Sequence, residues 1–163
     1  MSQTVKPVPE GFHTMTPSLV VQGAEKAIEF YQKAFGAEVL GCKKGPDGQK
    51  VMHSELKIGN SMFFVNDEFP EMGGCQGPNA LGGSPVTLHL YVEDVDALFQ
   101  RAVKAGAQVT MPLNDTFWGD RYGQIVDPYG HRWSLASRKE ILTDDEVTRR
   151  SNAAFAQMAQ QKH

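Results

Sequence analysis

No stretch of the 163-residue chain approaches the roughly 20 apolar residues a membrane-crossing helix needs. The N-terminal run MSQTVKPVPEGFH has no apolar export-signal core. Cysteine is scarce: Cys42 and Cys75 lack metal-site spacing and are expected to be free thiols in a cytoplasmic protein. Excess charge is lacking too. The net charge is −3, with acids and bases interspersed, so there is no basic footprint for nucleic acid. A Gly-x-Ser-x-Gly nucleophile turn, a Cys–His signature and a phosphate loop are all missing, and no catalytic residue declares itself. The chain order also lacks the alternating βα units of a dinucleotide fold.

What the chain has is a repeat. AIEFYQKAFGAEV at 27–39 and ALFQRAVKAGAQV at 97–109 share Ala27/Ala97, Gly36/Gly106, Ala37/Ala107 and Val39/Val109 at an offset of 70. A strand-like run precedes each copy, TPSLVV at 16–21 and TLHLYV at 87–92. Two similar units facing a common cleft are implied.

In the first unit, alternation predicts a strand over 16–21, with Pro17, Leu19 and Val21 on one face. Ala24, Ala27, Ile28, Tyr31 and Phe35 share a helical face, and Gly36 stops that helix. Strands are expected at 37–43, 50–58 and 61–66, with turns at Gly45-Pro46-Asp47-Gly48 and Gly59-Asn60. The Gly- and Pro-rich stretch that follows reads as a functional loop or a module boundary. The second unit repeats the order. A strand at 86–92 leads to a helix begun by Asp94 and faced by Val95, Leu98, Phe99, Ala102 and Val103. Strands follow at 107–113, 119–126 and 131–136. A capping box, Thr143 with Glu146, opens a last helix. Its narrow stripe of Val147, Ala154, Phe155 and Met158 needs a docking surface in this chain or a partner.

The expected class is therefore α+β, two paired βαβββ modules forming a curved sheet around a shared cavity. The divisions are a lead-in at 1–13, a first module at 14–66, a linker at 67–85, a second module at 86–137 and a helical extension at 138–163.

Strand alternation predicts the cavity face. Leu88, Leu90 and Val92 turn to the helices, leaving Thr87, His89 and Tyr91 for the cavity. In the 50–58 strand, Met52, Leu56 and Ile58 read as the helix face and His53, Glu55 and Lys57 as the other. Trp133 and Leu135 point inward, Arg132 and Ser134 to the cavity, with Gln124 across from Ser134. Trp118 and Tyr122 offer stacking surface for a flat ligand. Plainer readings stand beside these. His89 is equally a bonded core histidine, His131 a structural one, and His53 with Glu55 a solvated face. Trp118 and Tyr122 plug the barrel mouth, and Asp120 and Arg121 pair with each other on the rim.

With FYQKAFGAEV closing the first helix and VDPYGHRWSLA as the last hairpin, the chain resembles the vicinal oxygen chelate superfamily of glyoxalases, bleomycin-resistance proteins and ring-cleaving dioxygenases. The stretches TPSLVVQGAEKAIEFYQKAFGAEV, DGQKVMHSELKIGNS and DTFWGDRYGQIVDPYGHRWSLA resemble its PhnB-like branch. The similarity spans about residues 13–140. In metal-using members four His, Gln or Glu ligands face the cavity, and the resemblance places those positions at Thr16, Phe64, Thr87 and Ser134. None is a good divalent-ion ligand. This departure implies a metal-free binder of a small organic molecule, without cofactor, as in the sequestering members. Its expected ligand-binding residues are Trp118, His89, Tyr91, Tyr122, Gln124, Thr16, Thr87 and Ser134. The resemblance also implies a homodimer. The alternative is a metal-dependent lyase, isomerase or dioxygenase holding a divalent ion with non-standard ligands such as His53, Glu55 and His89. A scaffold with no ligand is a third class.

Overall fold

The first helix lies between two glycines that leave the right-handed backbone region. A computed structural model describes residues 5–160. In it Gly23 (φ 84°) precedes helix α1, Ala24–Phe35, and Gly36 (φ 68°) ends it. The Gly36 and Ala37 N–H groups return to the carbonyls of Gln32 and Tyr31. Around α1 run strands β1 (Ser18–Val21), β2 (Glu38–Lys44), β3 (Val51–Ile58) and β4 (Ser61–Asp67). The second module repeats this with β5 (Thr87–Tyr91), helix α3 (Val95–Ala105), β6 (Gln108–Asp115), β7 (Asp120–Val126) and β8 (Arg132–Arg138). Its helix ends at Gly106 (φ 120°), the mate of Gly36. A last helix, α4, runs from Asp144 to Gln160. No helix among the described residues is long and apolar enough to cross a membrane.

Each module builds one four-stranded sheet, in the orders β1-β4-β3-β2 and β5-β8-β7-β6. The outer pairs β1·β4 and β5·β8 are parallel and the rest antiparallel. The fold is thus α+β with paired βαβββ modules. The two sheets are not closed into one by strand pairing among the described residues.

The repeat extends to the helix starts. Asp67, ending β4, accepts the Gly23 and Ala24 N–H groups at 2.9 Å and the Val51 N–H at 2.7 Å. Its mate seventy residues on, Ser137, accepts the Val95 N–H at 3.0 Å, while Asp94 caps Ala97.

The modules share one apolar core. Tyr31 and Phe35 of α1 lie 5.6 and 4.6 Å from the Trp133 ring of β8, and Phe63 of β4 lies 6.3 Å from it. Buried Asp127 joins the halves: Oδ2 accepts from Tyr31 Oη (2.8 Å) and Trp133 Nε1 (2.9 Å), Oδ1 from the Tyr129 and His131 N–H groups. Arg101 of α3 donates to the carbonyls of Lys33 and Gln32 at the end of α1. That contact opposes the helix's negative end with a cation.

Two expectations are corrected. Met52 is not on the helix face but 42% exposed, while Val51 is fully buried. The β2·β3 register shifts between Lys43 and Lys44, so Met52 falls in the irregular step and Val51 turns to the core. Val103 is 38% exposed because α3 buries only Val95, Phe99 and Ala102. Phe155 reaches Phe117 at 6.2 Å yet stays largely exposed, as does Met158, so α4 is docked along part of its stripe. Within the linker lie a 3₁₀ turn at Pro70–Met72 and a short helix, α2, at Pro78–Leu81. Its segment lies so close to β1 that a Cβ on Gly77 would sit 2.6 Å from the Val20 carbonyl oxygen.

Candidate functional site

Alternation along β5, β7 and β8 gathers one set of side chains on the face away from the helices. His89 stands opposite Ser134, and Ser134 opposite Gln124. Leu88 and Leu90 pack on the core. His89 Nδ1 lies 2.6 Å from Ser134 Oγ. Its ring meets Tyr91 edge-on at 4.5 Å and lies near-parallel to Tyr122 at 6.0 Å. Gln124 Nε2 donates to Tyr122 Oη at 2.7 Å. Trp118, from the turn before β7, meets Tyr122 edge-on at 5.5 Å. Asp120 is the centre of this group. Its Oδ2 accepts from Tyr91 Oη at 2.8 Å and from Trp118 Nε1 at 3.2 Å.

Asp120 and Arg121 do not pair with each other. They are neighbours on a strand and point to opposite faces. Arg121 forms a two-armed pair with Asp96 of α3, at 2.7 and 2.8 Å, and reaches Asp115 at 3.2 Å. The sequence offered Asp120 and Arg121 together, as groups to orient a ligand's polar parts or as a rim pair; the structure separates them and sets only Asp120 among the aromatic rings of this face.

Burial lowers the pKa of His89, against a smaller opposing pull from Asp120. The ring is therefore neutral at neutral pH. The hydrogen bond to Asp120, with some burial, raises the Tyr91 phenol and keeps it a donor.

A cavity of about 260 Å³ opens between the modules, lined among others by His13, Thr16, Phe63, Leu88, His89 and Trp133. Of the eight residues singled out in the sequence, Thr16 and His89 line it, while Tyr91, Trp118, Tyr122, Gln124 and Ser134 join His89 on the adjoining face. Thr87 is exposed opposite Arg132, one pleat from this group. His13 lies before the first strand, where no periodicity marks it. His131 has a backbone partner, the Val20 carbonyl, 3.0 Å from Nε2.

The positions that hold the metal in metal-using relatives do not fit a divalent ion here. Thr16 and Thr87 offer only hydroxyls, and the Ser134 hydroxyl is engaged by His89. The Phe64 ring packs on Phe12 and His53, at 5.7 and 4.7 Å. The substitute set fares no better. His53 meets Glu55 at 3.5 Å, but His89 bonds to Ser134 on the other sheet. Among the described residues no group of three or more His, Cys, Asp or Glu is placed to hold a metal.

Two modules of this topology, meeting at a cleft, define a known class. The sequence profile of the Glyoxalase/Bleomycin resistance protein/Dioxygenase superfamily matches residues 12–135, and the chain belongs to that superfamily. It is 50% identical over 135 residues to the uncharacterized protein Rv0887c of Mycobacterium tuberculosis, covering 82% of this chain and 79% of that protein. Among solved structures it is similar to the Arabidopsis thaliana At5g48480 product, with a TM-score of 0.62 and 30% identity over 77% of this chain and 98% of that one. It is also similar to TioX from Micromonospora sp. ML1, with a TM-score of 0.63 and 26% identity over 78% and 99%. PhnB-like proteins are among its structural neighbours.

Proposed function

We propose that this protein binds a small organic molecule between its two modules and does so without a catalytic metal. One observation carries the reading: His89 belongs both to the apolar inter-module cavity and to the polar, aromatic face beside it. A ligand seated there buries apolar surface against Phe63, Leu88 and Trp133 while a neutral, oriented imidazole meets its polar group. The alternative of a metal-dependent lyase, isomerase or dioxygenase lacks a ligand set among the described residues.

The binding unit is proposed to be a homodimer. Phe155 and Met158 of α4 are substantially exposed in the single chain, and a second copy would cover that surface. Sedimentation at several concentrations measures this directly.

The binding role is tested with a ligand taken from a fragment screen. Thr16→Phe narrows the cavity and is expected to abolish binding at an unchanged melting temperature. Trp118→Ala is expected to weaken affinity by about tenfold through lost ring contact. If both variants bind like wild type per folded molecule, the cavity is not the site.

A further inference from the structure

Asp120 is 4% exposed, yet among the described residues no Lys, Arg or His lies within ion-pair distance of it. Its neighbour Arg121 is committed to Asp96 and Asp115 on the opposite face. Arg138, across from Asp120 on β8, is exposed and forms no ion pair with it; its guanidinium lies instead beside Tyr91. The carboxylate is held instead by two neutral donors, and both are parts of aromatic rings: the Tyr91 phenol and the Trp118 indole. A buried carboxylate without a counter-charge is costly and is ordinarily paired.

The donors that hold Asp120 are also the rings that stand around it. Tyr91 is 59% exposed and Trp118 39% exposed, so both offer open ring surface. Tyr122 lies edge-on to Trp118, and His89 links Tyr122 to Tyr91. A ring that donates a hydrogen bond to an anion gains electron density, because the bond polarises the donor. Its face then attracts a cation more strongly than a lone phenol or indole would. The network thus passes the negative charge of Asp120 outward to the aromatic surface.

We propose that the aromatic face built over Asp120 by Tyr91, Trp118, Tyr122 and His89 takes the positively charged nitrogen of an organic ligand, a quaternary or protonated amine. The inference rests on the small-molecule reading above and names the chemical class of that ligand's polar end. The apolar remainder of such a ligand extends past His89 into the inter-module cavity. Asp120 forms no direct ion pair among the described residues, and the ligand's charge answers it through the rings.

The test compares choline with its neutral isostere 3,3-dimethylbutan-1-ol on the full-length, isotope-labelled chain. The two share shape and differ in charge. The indole N–H resonance of Trp118, assigned with Trp118→Phe, reports binding at the face. Methyl resonances of Leu88 and Leu90 report the cavity. Choline is expected to bind at least about tenfold more tightly than the alcohol and to shift the Trp118 signal. Asp120→Asn, which keeps an acceptor and removes the charge, is expected to erase most of that preference. Tyr91→Leu, exposed and outside the core, serves the same purpose should Asp120→Asn fail to fold. Equal affinity for the two probes, no binding of choline, or a preference that survives both variants overturns the proposal. Alcohol binding that shifts only Leu88 and Leu90, without charge preference, overturns the cation site and leaves the small-molecule reading standing. A screened ligand that avoids the cavity while choline still shifts Trp118 does the reverse.

Discussion

Removing the Asp127 carboxylate should cost the protein a large share of its stability, because its acceptor oxygens bind groups from both modules. In Asp127→Ala, the Tyr31 hydroxyl and the Trp133 indole N–H lose their shared acceptor. Both residues are at most 2% exposed, so water does not replace it. Each buried, unpaired donor costs about 1–3 kcal/mol. The Tyr129 and His131 N–H groups also lose a partner but are only partly buried, and water reaches them. Against this, the variant no longer buries a carboxylate that is 3% exposed in the native protein, which returns part of the loss. The net expectation is about 2–4 kcal/mol, against a typical domain stability of about 5–15 kcal/mol. Tyr31→Phe removes one bond and leaves the carboxylate three donors, for about 1.5–3 kcal/mol. Once Asp127 is gone, Tyr31→Phe also removes a stranded hydroxyl. The double variant should therefore cost clearly less than the sum of the singles. Urea unfolding followed by fluorescence and circular dichroism gives the three values. Strict additivity, or an Asp127→Ala cost under about 0.5 kcal/mol, would refute the view that this carboxylate ties the halves together.

Gly123→Ala places a Cβ 2.7 Å from Phe99 Cε2 and 3.1 Å from the Met111 carbonyl oxygen, so overpacking should destabilise by about 1–3 kcal/mol, read from chemical denaturation. His89 has a folded pKa below its unfolded value of about 6.5, so its contribution is complete above that pH and is lost as pH falls through the lower folded value. The melting temperature of wild type should thus drop more than that of His89→Gln on acidification below about pH 6.5, and parallel curves would contradict the assignment. The Tyr31 phenol, raised chiefly by burial, works in the other direction: its stabilisation is complete below about pH 10 and is lost as pH rises beyond. Tyr31→Phe should flatten the alkaline limb of the stability curve. Elemental analysis of untagged protein is expected to find far less than one Zn, Ni, Fe or Mn per chain; one equivalent lost on Thr87→Ala would overturn the metal-free reading.

The repeat, the glycines at 36 and 106, and the apolar periodicities were sufficient to place ten of the elements in order, because each is a local signal. A helix stop needs only a residue that tolerates positive φ, and a strand face needs only alternation. The same alternation put His89, Tyr91 and Ser134 on one face, and the last hairpin set Gln124 across from Ser134. What local patterns do not encode is which partner a polar group finds across the chain. Asp127 meets Tyr31 from 96 residues away, Arg121 prefers Asp96 on a helix to its neighbour Asp120, and Val51 displaces Met52 from the core through an irregular strand step. The Gly- and Pro-rich linker reads as loop from composition, yet Asn79 donates to the Pro128 carbonyl and the Gly77 N–H to Glu68, so tertiary contacts order it. Asp120 shows the division most clearly. Its face followed from its position in β7, but its burial without a counter-charge exists only once Tyr91 and Trp118 have folded around it.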